Sequence, residues 1–211
     1  LSTPQLINID PSDGLSIVAS PIPNPIIWIA CSARKTVVKI ATEEFQLGMP
    51  TITEGTVLGE YLTAPSGVDN RDPSRTTVDL NGAVWVANRD RGRPVPCTRG
   101  NTSFPDCGSV VRVDDVCINR RYGGEVETST ELGDIRDWDG IDLASAMDDC
   151  ISAYTPTVGR GTRGLAVDAN NDLWVGAYYG DLFEKVGGQT GLPIAGTIIT
   201  SNCGAYGGLM D

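Results

Sequence analysis

The feature that most constrains this chain is a short pattern that it contains twice. The first copy, at residues 76–90, reads TTVDLNGAVWVANRD, and a later copy reads RGLAVDANNDLWVGAYYG. In each copy an Asp that follows an apolar residue precedes a Trp by six positions, Asp79 before Trp85 and Asp168 before Trp174. A chain that repeats one pattern in this way is expected to build one supersecondary unit repeatedly.

Each copy is typical of short strands separated by tight turns. TTVD predicts a first strand, and LNG and ANND supply turn residues that tolerate left-handed backbone. AVWVAN and LWVGAY alternate about the Trp, as second strands with one buried face would, and VVRV and LFEKV predict third strands. Residues 58–63 and 196–201 would be fourth strands. Four short strands per unit with a recurring aromatic predict an all-β fold of four-stranded, Trp-layered β-propeller blades.

The blades are expected to occupy residues 26–211, with loop insertions at about 88–107 and 114–160. A partial copy around Trp28 lacks the Asp, and the last residues, GAYGGLMD, look like the opening of another copy. Propellers close with about 4–8 blades, more than these copies supply. We therefore expect an incomplete propeller, completed by more of a longer polypeptide or by another chain.

Residues 1–25 differ in kind, since they carry five prolines and end in PIPNP. They predict an extended arm or linker. Within them, QLINI and LSIVAS could each add as a strand to a sheet edge. Self-assembly through this arm is therefore one hypothesis for how the chain acts.

The repeated Trp and Asp residues have structural interpretations that come before any catalytic one. A Trp at a fixed place in each blade is expected to pack in the core. An Asp that follows a strand is expected to cap the next turn through its own side chain. Neither residue indicates a reaction.

The pattern resembles the repeats of NHL-type and virginiamycin B lyase-like propellers, which read roughly apolar-Asp-x-x-Gly-x-apolar-Trp-apolar. The resemblance covers most of 26–113 and 162–211 and implies the propeller fold, which serves enzymes and binding modules alike. The lyase of this family is expected to use a catalytic His, and this chain contains no His, so lyase activity is not implied. The matching residues are Val78-Asp79, Asn81-Gly82, Val84-Trp85-Val86, Val167-Asp168 and Leu173-Trp174-Val175.

Charge and hydropathy exclude some partners. The 211 residues carry a formal net charge of −11, which repels the phosphate backbone of nucleic acids and the surfaces of anionic membranes. No apolar run approaches the ~20 residues that a membrane-spanning helix needs. We therefore expect neither nucleic-acid binding nor a transmembrane segment.

The six cysteines predict disulfides in a secreted or cell-surface protein. None of them forms a CxxC pair, and without His a zinc site of Cys and His is not indicated. Cys117 with Cys150, and Cys97 with Cys107, each bracket an insertion, which leaves Cys31 with Cys203. Six cysteines allow 15 pairings, so this is a ranking only. The sequon that begins at Asn101 adds a candidate glycosylation site.

The insertion between Cys117 and Cys150 is rich in acids that could bind calcium, because this cation takes six to eight oxygen ligands. The segment INRRYGGEVETST resembles calcium loops of the form D-x-N-x-D-G-x-I-x-T-S inserted in some secreted propellers, although Asn119, Arg121 and Gly123 depart from it. The stretch DWDGID is the stronger candidate. The predicted calcium ligands are Asp134, Asp137, Asp139 and Asp142.

A structural interpretation of the same acids competes with calcium. Apolar residues recur at helical spacing from Leu143 to Ile151, and Asp142 stands where a helix N-cap should. Asp148 and Asp149 would then face solvent. Capping and solvation would explain these three acids without any metal.

The leading functional hypothesis is an extracellular or cell-surface, non-enzymatic binding or structural module, which could be a subunit of a larger filamentous or surface assembly. Its partners would be other protein subunits or glycans. The basic loop NRDRGR at 88–93, with Arg99, could pair with an acidic neighbour or bind an anionic glycan, or could simply be solvated. The alternative is a propeller-scaffold lyase or hydrolase that acts on an extracellular polymer, with its site in blades beyond this sequence.

Overall fold

The structure, a computed structural model, describes residues 7–10, 14–17, 25–46, 51–67, 72–89, 97–99, 102–104, 108–120 and 124–208. These ranges contain antiparallel strands and two short 3₁₀ turns, Ser32–Arg34 and Leu143–Ser145. The all-β prediction is therefore confirmed. Among the described residues, no helix is long and apolar enough to cross a membrane.

The strands are numbered along the chain. They are β1 (Ile7–Asp10), β2 (Gly14–Ile17), β3 (Ile26–Cys31), β4 (Thr36–Ala41), β5 (Phe45–Gln46), β6 (Thr51–Ile52), β7 (Val57–Leu62), β8 (Pro73–Val78), β9 (Val84–Asn88), β10 (Cys97–Arg99), β11 (Thr102–Phe104), β12 (Ser109–Val113), β13 (Ile151–Pro156), β14 (Thr162–Val167), β15 (Leu173–Ala177), β16 (Leu182–Val186) and β17 (Ile199–Thr200).

Three larger sheets follow one another along the chain, each formed by strands that pair with the next strand of their sheet. The first contains β3, β4 and β7, the second β8, β9, β12 and β13, and the third β14 to β17. The repeat Trp lies on the first strand of the first sheet and on the second strand of the other two. In each of these three sheets a basic residue of the following strand lies directly opposite that Trp: Lys39 opposite Trp28, Arg112 opposite Trp85, and Lys185 opposite Trp174.

The turns predicted from LNG and ANND are confirmed. Gly82, at the turn between β8 and β9, has a φ of +89°, and Asn171, at the turn between β14 and β15, has a φ of +64°. Gly and Asn adopt this left-handed region at the lowest steric cost. The repeated sequence thus forms the same strand–turn–strand unit at both places.

The second sheet lies between the other two and contributes to two cores. Val84 and Val86 of β9 pack with Trp28 and Trp138, whereas Trp85 and Ala87 pack in a second cluster that includes Leu173. Trp28 and Trp85 are buried, as expected for a core Trp, while Trp174 is only half-buried. Alternation along β9 therefore ties the three sheets together.

Several element predictions require correction. The described sheets stay separate and do not close into a ring, so the assignment of the strands to propeller blades is not confirmed. Residues 57–62 form a third strand against β4, not a fourth. β13 lies within the range 114–160 that was predicted as a loop insertion, because its alternating side chains complete the second sheet beside β12. The two apolar stretches of the arm, β1 and β2, pair with each other in a hairpin.

Candidate functional site

A cavity of about 220 Å³ lies beside the first strands of the three larger sheets. β8 lies between β3 and β14 and contacts both of them, so residues far apart in the sequence meet there. We call this cavity the arginine pocket. It is lined by Ala30, Ser32, Pro73, Ser74, Arg75, Arg89, Arg163 and Tyr206.

Three arginines give the pocket its positive charge. Arg89 donates from Nη2 to Oδ1 of Asp72 over 3.0 Å, and Ser32 donates to the same carboxylate oxygen. In the described part of the chain, Arg75 donates to the carbonyl of Ser74, at 3.3 Å. Among the described residues, neither Arg75 nor Arg163 has a carboxylate partner, so the pocket has an excess of cationic charge within a protein of net charge −11.

Three buried polar atoms at the pocket have no partner among the described residues. They are the Nε of Arg163, the Nε of Arg89 and the Oγ of Ser74. Buried polar groups in folded proteins are almost always hydrogen-bonded, and each exception calls for an explanation. Two N–H donors and a hydroxyl beside a cavity are the groups that an oxygen-bearing anion would satisfy.

Aromatic rings lie beside the guanidinium groups of Arg75 and Arg163, which have no carboxylate partner among the described residues. The Cζ of Arg75 lies 4.6 Å from the ring centroid of Tyr206, and the Cζ of Arg163 lies 5.2 Å from the centroids of both Tyr206 and Tyr178. Tyr178 and Tyr206 meet edge to face with centroids 5.9 Å apart. Cation–π contact orients a guanidinium without neutralising it, so the positive charge stays available to a ligand.

Tyr206 reaches the pocket because the chain near residue 205 crosses two glycines. Ala205 is buried against Gly164 of β14 and Gly176 of β15. A Cβ at Gly176 would overlap the Cβ of Ala205 and lie 2.9 Å from the ring of Phe183. The absence of side chains at these two positions thus lets the chain lie flat on the sheet and present Tyr206 to the arginines.

The repeated Asp residues cap turns, as the sequence indicates, and also bind the basic residue opposite the repeat Trp. Oδ1 of Asp168 accepts the N–H groups of Asn170 and Asp172, and its Oδ2 lies 2.7 Å from Nζ of Lys185. Burial raises the pKa of Asp168, but the hydrogen bond from Lys185 and the turn N–H groups outweigh it and hold that pKa below its ordinary value. Asp79 makes the equivalent contacts with Arg112.

The structure does not bring the four predicted calcium ligands together, and no group of three or more His, Cys, Asp or Glu among the described residues has the arrangement of a metal site. Asp134 accepts hydrogen bonds from Thr130, and Asp139 accepts one from Ser66. Asp137 and Asp139 flank Trp138, whose buried ring anchors this stretch in the core, so both acids are directed to solvent. Calcium binding stays a prediction that these contacts do not support.

The helical interpretation of this stretch is confirmed at its cap and wrong beyond it. Asp142 caps a single 3₁₀ turn by accepting the N–H of Ser145 at 3.2 Å. Asp148 and Asp149 do not face solvent but are buried, because backbone N–H groups of other segments donate to both carboxylates. Burial raises the pKa of Asp148.

Another buried acid, Glu60 of β7, joins the insertion to the first sheet. Its carboxylate accepts from Nε and Nη2 of Arg34, at 2.6 and 2.7 Å, and from the N–H of Gly133, at 2.9 Å. Thr36 also donates to it. The hydrogen bonds from Arg34 lower the pKa of Glu60 in spite of its burial.

Of the two ranked disulfides whose cysteines both lie in the described part of the chain, one forms. Cys117 and Cys150 are bonded, with their Cα atoms 4.6 Å apart. The pairing of Cys31 with Cys203 is not formed, since both are free thiols. Cys107 and the sequon Asn101 lie outside the described residues, as does the side chain of Cys97.

Comparison with known proteins identifies no family. No family model matches the chain, and no curated protein matches it. A solved structure that matches is that of a protein from Bacteroides uniformis provisionally named a 6-phosphogluconolactonase, with a TM-score of 0.45 and 12% identity over 94% of this chain. The chain spans about half of that protein, 49% of its length. The resemblance to NHL-type and virginiamycin B lyase-like propellers is therefore wrong as a family assignment.

One part of the arginine pocket has a local signal in the sequence, and the rest has none. The basic loop at 88–93 is a candidate anion-binding segment, and Arg89 belongs to it. Arg75 and Arg163 gave no local signal, because each stands alone in a strand of ordinary composition. The signal that could have placed them together is their position: each lies in the first strand of its sheet, and the first strands of consecutive repeats are neighbours.

Proposed function

We propose that this protein is an extracellular, non-enzymatic binding module whose ligand carries an anionic oxygen group held in the arginine pocket. The observation that carries the proposal is the set of buried donors on Arg163, Arg89 and Ser74 that have no partner in the described part of the chain. Arg75 adds a cation without a carboxylate partner among the described residues. Guanidinium groups bind carboxylate, sulfate and phosphate oxygens through paired N–H donors.

The surroundings of the pocket favour binding over catalysis. The chain has no His to act as a general base near neutral pH. Asp72, an acid beside the pocket, is already engaged by Arg89 and Ser32. We propose that the three larger sheets act as propeller blades that hold the three arginines in place for a ligand.

The extracellular setting is supported by the disulfide between Cys117 and Cys150, since such bonds persist in oxidising compartments.

The acidic surface adds to the selectivity of the pocket. The net charge of −11 disfavours anions over most of the surface, so binding of any anion, an acidic polymer included, would depend on the local positive charge of the pocket.

The test is a titration of the protein with acetate and with sulfate at constant ionic strength, followed through the Nε–H resonances of its arginines by NMR. We expect saturable shifts of the resonances of Arg163 and Arg89. Arg163→Gln should abolish the saturable response, whereas Arg136→Gln, at an exposed arginine of the insertion, should leave it intact. Shifts that are absent, or that stay linear in anion concentration, would refute the proposal.

The variant Arg163→Lys distinguishes the effect of positive charge on anion binding from the effect of the hydrogen-bond geometry of the guanidinium group. Lys keeps the positive charge but lacks an Nε–H donor in a fixed plane. Because the Nε of Arg163 is the buried unpartnered atom, we expect Lys to bind acetate almost as poorly as Gln does. Full binding by the Lys variant would show that the pocket supplies only a diffuse positive potential.

A further inference from the structure

An exposed tyrosine lines the arginine pocket and two more adjoin it, which gives the ligand a second recognition element. Tyr206, which lines the pocket, is 53% exposed, and Tyr179 beside Tyr178 is 58% exposed. Large aromatic side chains are ordinarily buried to a greater extent than this. Tyr178, whose ring contacts both of the others, is 37% exposed. Such a cluster of exposed aromatic rings, next to arginines that have no carboxylate partner among the described residues, is a binding surface in its own right.

The tyrosines form a continuous cluster on the third sheet. The ring centroids of Tyr178 and Tyr179 are 4.9 Å apart, and those of Tyr178 and Tyr206 are 5.9 Å apart. Tyr179 also has the guanidinium of Arg160 over its ring, at 5.3 Å. The cluster is therefore held in a fixed arrangement, which reduces the entropy that a ligand would lose by ordering it.

We propose that the ligand is a sugar ring that bears the anionic group, as in a uronic acid unit of an acidic polysaccharide. The anion would enter the arginine pocket, and the apolar C–H face of the ring would lie against Tyr206. This inference rests on the proposed function, because it assigns the chemistry of the ligand held by the same site.

The size of the cavity agrees with one such unit. At about 220 Å³ it is smaller than the ~300–1,000 Å³ of sites that enclose drug-sized ligands. The pocket therefore has room for one charged group with the ring that carries it. The rest of a polymer would extend over Tyr178 and Tyr179, outside the cavity. An acidic peptide would offer a carboxylate but no rigid apolar ring face for Tyr206, which is why the sugar is favoured.

The test compares three small probes on the same arginine resonances: galacturonic acid, galactose and acetate. We expect galacturonic acid to bind at least tenfold more tightly than either acetate or galactose, because it alone offers both the anion and the ring. Tyr206→Ala should reduce the affinity for galacturonic acid to nearly that for acetate. Tyr206→Phe, which keeps the ring, should retain the affinity of the wild-type protein.

The outcomes separate this inference from the proposed function. If acetate and galacturonic acid bind equally and Tyr206→Ala changes neither, the pocket binds anions but the sugar is wrong. If neither probe gives a saturable shift, both proposals are wrong. If a peptide with consecutive Glu residues binds more tightly than galacturonic acid in the same titration, the ligand is an acidic protein segment and the inference is overturned.

Discussion

Arg112 and Asp79 are joined through two donors that converge on one oxygen. Nε and Nη2 of Arg112 lie 3.0 and 2.9 Å from Oδ2 of Asp79, while Oδ1 of the same carboxylate accepts the turn N–H groups of Asn81 and Ala83. One buried side chain thus fixes both the turn between β8 and β9 and the pairing of β9 with β12. The Asp of the repeat is a structural residue in both copies.

Replacing Asp79 by Ala should be strongly destabilising, because it leaves Arg112 and two turn N–H groups without their shared acceptor. We expect a loss of about 3 kcal/mol in the free energy of unfolding, measured by urea denaturation. Asp168→Ala is the matched control. Arg112 and Lys185 each keep a second carboxylate, Asp114 at 2.8 Å and Asp172 at 2.9 Å. The side chain of Asp79 is fully buried, whereas that of Asp168 is 12% exposed, so the loss in Asp168→Ala should be smaller, about 1–2 kcal/mol. Equal losses would contradict this account.

Glu60 should make stability depend on pH in the acidic range. Its pKa lies below the ordinary value of 4.5 in the folded protein, chiefly because Arg34 donates to it. The unfolded chain therefore binds more protons there, so this contribution is complete above pH 4.5 and is lost as the pH falls through the folded pKa. Glu60→Gln should lower stability at pH 7 by about 1–2 kcal/mol and flatten the decline below pH 4.5. Glu54→Gln, at an exposed position, should reproduce the wild-type pH profile.

A methyl group at residue 176 should disturb the arginine pocket from a distance. In Gly176→Ala, the new Cβ would displace Ala205 and with it Tyr206, at a cost of about 1–3 kcal/mol in stability. The Nε–H resonances of Arg75 and Arg163 should shift when the ring moves away. Gly207→Ala is the control, because its Cβ would meet nothing within 4 Å. Unchanged arginine resonances in Gly176→Ala would show that Ala205 does not position Tyr206.

The disulfide between Cys117 and Cys150 closes a loop of sequence separation 33. Replacing both cysteines by Ser should lower the free energy of unfolding by about 3–4 kcal/mol, since the unfolded chain gains the entropy of the open loop. Cys31→Ser removes a thiol that has no disulfide partner and should change stability far less. Thermal unfolding of both variants with and without reductant checks this, and a wild-type protein indifferent to reductant would speak against the bond.

The repeat could be interpreted from the sequence because its signals are local. The Asn and Gly residues between β8 and β9 predict a turn, and the alternating side-chain pattern around Trp85 predicts a strand with one buried face. β13 was not predicted, because that strand comes after an insertion and its partner, β12, lies nearly forty residues earlier. Pairing across such an interval leaves no local trace.

The burial of Asp148 and the arginine pocket could not be predicted for the same reason. Asp148 accepts from the N–H of Ser129, a residue that only the folded insertion brings near. Arg75 and Arg163 are 88 positions apart in the sequence. They meet because β8 and β14, the first strands of the second and third sheets, are neighbours. Composition suggested an acidic surface everywhere, whereas the fold concentrates cations at one place.

The alternation of β9 makes the chain intolerant of error in strand register. Val84 and Val86 belong to one core, and Trp85 and Ala87 to the other. A slip of one residue would drive the indole of Trp85 into the space of a Val and leave a void in the opposite core. Both cores would be disrupted at once. β9 can therefore pair with its neighbouring strands in one register only.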